Sequence, residues 1–154
     1  MQEEFLGRAR GAAAESGHIF PDFAACEAAL ESGWGQSKLA VEANNLFGQK
    51  QSHPAIGESI AFPTKEYAHG AWMTVPAAWI KFVDWQACFA GRMALLSRLA
   101  LAYPAYADAL AARDGVSFVT LVSERWSTDP SRAAKVLAVW KTHNVLFSRQ
   151  QRII

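Results

Sequence analysis

The chain has 154 residues, enough for one domain with its own core, and its 51% hydrophobic and 19% charged content excludes a disordered polymer. A net charge of +1 makes no case for nucleic-acid binding, and no run reaches the roughly 18 apolar residues of a membrane span. The acidic start, Met1-Gln2-Glu3-Glu4, lacks the apolar core of a Sec leader, so synthesis in the cytoplasm without one is expected.

In chain order, Phe5, Leu6 and Ala9 mark one face of an alanine-rich helix over residues 3–16, broken by Gly17-His18-Ile19-Phe20. Pro21-Asp22 suits a first helical turn, and Phe23, Cys26 and Leu30 carry helical spacing to about residue 32. Gly33 is then the residue that stops the helix in a left-handed conformation. Gln36 to Glu42 adds a turn or two, closed by Asn44-Asn45. From Leu46 to Phe82 the 3.6-residue period is lost. Thr64–Ala68 and Ala71–Val75 flank His69-Gly70, a tight hairpin turn, with Pro63 and Pro76 expected to confine the strands to ends or edges.

Helical pattern returns with Asp84 as N-cap and a stripe of Trp85, Cys88, Phe89, Met93, Leu96 and Leu99. Tyr103-Pro104 opens a short helix that Asp114-Gly115 ends, and Phe118, Leu121, Val122 and Arg125 mark another. Asp129-Pro130 opens the last helix, to about Thr142, and a basic, apolar tail follows. The expected architecture is α+β, mainly α: one domain over 1–154 with a β lobe over about 46–82. Cys26 and Cys88 are expected as buried free thiols, with a disulfide left open if their Cα atoms come within about 7 Å. No CxxC or HxxxH spacing suggests a metal, and His18, His53, His69 and His143 read as surface or loop residues.

The chemistry is expected where the first helical block ends. Glu31 lies in the last turn of its helix, at the negative end of the helix dipole. Glu27 sits one turn earlier on the same face. These neighbours, with burial beside Trp34, are expected to keep Glu31 protonated and fit for general acid catalysis. Glu66 falls on the first hairpin strand, where alternation puts Thr64, Glu66 and Ala68 on one face and Lys65 and Tyr67 on the other. Two carboxylates across a groove are the minimum machinery of glycoside hydrolysis.

Four segments occur in order: Ala28-Ala29-Leu30-Glu31-Ser32-Gly33-Trp34-Gly35, Asn45-Leu46-Phe47-Gly48-Gln49-Lys50, Thr64-Lys65-Glu66-Tyr67 and Ser127-Thr128-Asp129-Pro130. The set resembles the glucosaminidase family of peptidoglycan hydrolases, glycoside hydrolase family 73, which includes autolysins and phage endolysins. The resemblance implies a lysozyme-like helical body with a β-hairpin lobe flanking a substrate groove. It also implies cleavage between N-acetylglucosamine and N-acetylmuramic acid by a monomer acting in the periplasm or cell wall, without metal or cofactor. Glu31 would be the general acid and Glu66 the second carboxylate, with Trp34, Asn45, Phe47, Tyr67 and Trp126 contacting sugar. Three positions depart from the family pattern: Trp126 and Trp85 stand where tyrosines are usual, and Glu27 where a glutamine is common. An indole donates one N–H and accepts nothing. The departures leave open a muramidase or lytic transglycosylase of the same fold and, from another class, an inactive wall-binding or scaffolding module.

Overall fold

A computed structural model describes residues 1–151. The elements are α1 (Gln2–Glu15), α2 (Pro21–Ser32), α3 (Lys38–Ala43), β1 (Glu58–Ala68), β2 (Ala71–Lys81), α4 (Trp85–Ala100), α5 (Pro104–Leu110), α6 (Gly115–Trp126) and α7 (Arg132–Gln151).

The body packs around α2, whose Ala24, Ala25, Cys26, Ala28 and Ala29 have no exposed surface. Small side chains let α1 and α7 lie close against it. Phe23 stacks on Trp140 of α7 at 4.9 Å between ring centroids. Cys26 and Cys88 are buried and free, as the sequence suggested. The last helix runs well past Thr142 because its far end still has a core to meet: Phe147 is buried and Leu146 packs against the same cluster. Residues 152–154 of the expected tail lie outside the described residues. Asp114 proves to be the N-cap of α6, its carboxylate accepting from Ser117 N–H at 2.8 Å, rather than the end of α5. Among the described residues, no helix is long and apolar enough to cross a membrane.

α2 ends on Gly33 in the left-handed region, as its sequence predicts. Trp34 N–H then donates back to Ala29 O at 2.8 Å, closing a Schellman-type cap. Gly33, Trp34 and Gly35 all have positive φ, at 57°, 59° and 79°. At Gly35 a Cβ would lie 2.9 Å from the Phe5 ring, so only glycine fits there. This reversal leaves Glu31 in the last turn of α2, beside the start of α7.

The hairpin turn is His69-Gly70, both with positive φ, as a two-residue type I′ turn requires. Its strands are eleven residues each and contain both prolines mid-strand, which fits the expected edge strands because each strand of a two-stranded ribbon is an edge. Pro63 sits directly opposite Pro76. Such a pair is tolerated at a ladder position where neither residue donates an N–H across. Residues 49–51 add a partial third strand, with Ile80 N–H donating to Gln49 O at 3.1 Å and Gln51 N–H to Ala78 O at 2.9 Å.

The ribbon has two unlike faces. Ile60, Phe62, Thr64, Val75, Ala77 and Trp79 are half-buried, and the face they share contacts the body through Lys38 over the Phe62 ring. Ser59, Ala61, Pro63, Lys65 and Tyr67, with Trp72, Thr74, Pro76 and Ala78 opposite, are exposed. The ribbon also bends. Lys50 pairs with Trp79, which faces Ile60, yet Lys50 Nζ lies 3.5 Å from Glu66 Oε1. Along a straight strand those rows would be about 20 Å apart, beyond the reach of the two side chains.

Candidate active site

Glu31 sits where the sequence put it, half-buried, with 24% of its side chain exposed. Its surroundings differ from the expected ones. Trp34 turns its ring toward Phe5 and His143, and with Trp85 and Arg8 it lines a separate cavity of about 260 Å³. Glu27 does not repel Glu31 across open space; two guanidiniums bind it. The neighbour of Glu31 is a cation: Arg132 Nε donates to Glu31 Oε1 at 2.8 Å.

Behind Glu31 lies a buried chain of charges. Arg92 Nη1 and Nη2 donate to Glu27 Oε1 and Oε2 at 2.9 and 2.7 Å, and Arg132 Nη2 donates to Glu27 Oε2 at 2.8 Å. Glu27, Arg92 and Arg132 are each no more than 1% exposed. Burial alone would push the Glu27 carboxyl up, but the charges and hydrogen bonds of Arg92 and then Arg132 hold it well below the usual carboxylate range. The Arg92 guanidinium lies 4.5 Å from the Phe47 ring centroid and 4.6 Å from that of Trp126, and its buried Nε has no hydrogen-bond partner. The sequence reading missed Arg92 and Arg132. A signal was present: Glu27 interrupts an alanine run, and Arg92 interrupts the Cys88–Phe89–Leu96 stripe, so two opposite charges fall on apolar faces.

His18, read as a surface or loop residue, is 3% exposed at the end of this chain. Its Nδ1 bonds Ile19 O, so Nε2 is the acceptor that meets Arg92 Nη1 at 3.3 Å, and the ring is neutral. Burial first, then Arg92, lowers its pKa to about 4 from an ordinary 6.5. The unfolded chain therefore gains a proton near pH 6.5 that the folded one refuses until about pH 4. Stability present above pH 6.5 is lost progressively between those values, by about 2 kcal/mol from pH 7 to pH 5. Urea unfolding at the two pH values checks this, and His18→Gln should flatten the difference.

The other expected site residues divide. Phe47 is buried, edge-on to Phe89 and Trp126. Trp126 is half-buried and walls two cavities. One, of about 790 Å³, is lined by the end of α6 and residues 127–130; the other, of about 340 Å³, by residues 47–50, Leu99 and Tyr106. Glu31 is not among the residues lining either. Its link to the larger is Arg132, whose Nη1 donates to Ser123 Oγ on the cavity wall at 2.8 Å. Glu66 lies on the body-facing side of the hairpin, with Lys50 of the smaller cavity as its partner. The structure thus bends Glu66 over the Phe47–Lys50 segment, while no contact joins it to Glu31.

Two further expected sugar contacts have other partners in the structure. Asn45 is 1% exposed, and its Nδ2 donates to Gln49 O and Ile80 O, both at 2.9 Å, while Oδ1 accepts from Gln49 N–H at 2.9 Å. It clamps the loop to β2, because a buried amide in a loop must satisfy backbone groups there. Tyr67 is 63% exposed on the outward face, edge-on to Trp72 and turned from the body. Trp85 packs in the core under Arg8, 3.7 Å from its ring centroid. Among the described residues, no group of three or more His, Cys, Asp and Glu side chains is placed to hold a metal ion.

A helical body with a two-stranded lobe is the lysozyme-like class of fold. Residues 8–145 match the Glucosaminidase family, described as mannosyl-glycoprotein endo-beta-N-acetylglucosaminidase, and the chain belongs to that family. It is similar to an autolysin of Enterococcus faecalis, 28% identical over 148 residues that make up 91% of this chain and 19% of the autolysin. A probable N-acetylmuramidase of Lactococcus lactis subsp. cremoris is 27% identical over 136 residues, 86% of this chain and 31% of that protein. The chain thus spans less than a third of the length of either relative. Among solved structures, the catalytic domain of the Listeria monocytogenes autolysin Auto shares the fold, with a TM-score of 0.79 at 24% identity over 94% of this chain and 85% of that one.

Proposed function

We propose that this chain is a peptidoglycan hydrolase domain cutting glycan strands between N-acetylglucosamine and N-acetylmuramic acid, with Glu31 as the general acid. The observation that carries the reading is Glu31 itself: a partly exposed carboxyl closing α2, one oxygen held by a buried arginine, in a chain of the glucosaminidase family. Glu31 would protonate the leaving glycosidic oxygen. Glu66, on the body-facing side of the bent hairpin, would activate water or stabilise the oxocarbenium-like transition state. Trp126 would offer its ring face to a sugar above the Phe47 floor. The place of action is the cell wall or periplasm, and the working form is a monomer.

Mass spectrometry of digested wall tests the linkage. Reducing N-acetylglucosamine ends are expected. Reducing muramic ends would make the domain a muramidase, the activity named for the lactococcal relative, and anhydro-muramic ends a transglycosylase.

Glu66→Gln should lose turnover at least tenfold with little change in stability, because its Lys50 pair is more than half exposed on both sides and such pairs contribute about 0–1 kcal/mol. A melting temperature that fell with the rate would make Glu66 structural. Trp126→Ala should raise KM on soluble wall fragments roughly fivefold to thirtyfold, matching about 1–2 kcal/mol of lost stacking. Trp126→Tyr, which keeps a face and adds a hydroxyl, should stay near the parent KM. Unchanged constants in Trp126→Ala would make the ring a cover for Arg92 alone.

A further inference from the structure

Arg132 opens α7 and is 1% exposed, although it begins a helix at the surface. The loop before it fixes its backbone: Arg132 N–H donates to Asp129 O at 3.2 Å, and Asp129 Oδ1 accepts from Ser131 N–H at 2.9 Å. All three nitrogens of its guanidinium are engaged. Nη2 meets Glu27 Oε2, Nη1 meets Ser123 Oγ and Nε meets Glu31 Oε1, each at 2.8 Å. Glu27 and Glu31 come from successive turns of α2, and Ser123 from α6. A planar fork held at three corners has one orientation, and it imposes that orientation on its half-buried partner Glu31.

We infer that Arg132 is the positioning residue of the general acid: it fixes Glu31 Oε1, leaves Oε2 to carry the proton, and stabilises the carboxylate that proton transfer leaves behind. The inference rests on the reading of Glu31 as the acid. In the step, the Oε2–H bond breaks and the proton passes to the glycosidic oxygen. The bond from that oxygen to the anomeric carbon then breaks, its electron pair staying with the leaving sugar, and a water oxygen bonds to the anomeric carbon as it loses its proton. The surrounding charges favour this direction. Glu27 and ionised Glu31 balance Arg92 and Arg132, His18 is neutral, and Asp129 is paired outside with Lys135 at 2.6 Å. With Glu31 protonated the buried cluster carries one surplus positive charge. Proton donation restores neutrality, so Arg132 binds the product carboxylate more strongly than the acid it came from. An interaction that strengthens along the reaction is one that accelerates it.

The test measures kcat, KM and the pH profile on soluble wall fragments for the parent, Arg132→Gln and Arg132→Lys, with Glu31→Gln in parallel. Arg132→Gln is expected to lose about 100-fold in kcat with KM nearly unchanged. The alkaline limb of its kcat profile should move up by about one pH unit or more, since a cation beside the carboxylate is gone. Arg132→Lys keeps a cation without the fork, so kcat should fall while the limb stays closer to the parent. A limb unmoved in both variants, or an unchanged kcat in folded Arg132→Gln, overturns the inference. If Arg132→Gln does not fold, Ser123→Ala releases one corner only and should lower kcat about threefold; an unchanged kcat there overturns it equally. An active Glu31→Gln would sink the underlying reading of the acid. Inactive Glu31→Gln beside normal Arg132 variants would sink this inference alone.

Discussion

Glu31→Gln is expected to fold, to melt within a few degrees of the parent, and to lose wall-lytic turnover by about 10²–10⁴-fold. The amide oxygen can still accept from Arg132 Nε, so the end of α2 keeps its shape. What the amide cannot do is deliver a proton to the leaving oxygen. The side chain is partly exposed, so its desolvation differs little between acid and amide and the loss should appear in kcat rather than in stability. Turbidity clearing of a wall suspension, with a thermal melt on the same sample, separates the two. A variant retaining more than about a tenth of parent turnover would move the acid elsewhere.

The largest stability effect is expected at Arg92. Arg92→Met removes both hydrogen bonds that bind Glu27 from α4, leaving that wholly buried carboxylate with Arg132 alone. Breaking a buried pair from one side costs about 3–5 kcal/mol, because the remaining charge is stranded without water. At about 2–4 °C per kcal/mol for a domain of this size, the melting temperature should fall by roughly 10 °C. Changing Glu27 to Leu in the same chain should recover part of the loss, since no buried carboxylate then remains to be compensated. A drop below about 1 kcal/mol in urea unfolding of Arg92→Met would show that the network holds Glu31 in place without supporting the fold.

Much of the scaffold could be read from short-range pattern. Pro21 and Gly33 bounded α2, His69-Gly70 set the hairpin turn, and Asp84 capped α4 through Ala87 N–H at 2.8 Å. Side-chain surroundings were less legible, because they depend on distant partners. Pro63 and Pro76 pair across the ladder because a two-stranded ribbon leaves each strand an open edge. Asn45, in a motif along the expected groove, is held inward by the carbonyls of Gln49 and Ile80. Strand alternation already separated Glu66 from Tyr67, and the structure follows that alternation rather than grouping both residues in the groove.

The sequence by itself determined the helical body, the hairpin, the position of Glu31 in the last turn of α2 and the family to which the chain belongs, since caps, turns and periodicity act within a few residues. Only the tertiary structure decided what surrounds Glu31. Glu27, Arg92 and Arg132 lie on three helices far apart in sequence, and each taken alone is a charge on a helix. Closing α7 and α4 onto α2 removes water from all three at once. Burial then makes each charge require the others, and that requirement places a guanidinium, not a second carboxylate, against Glu31.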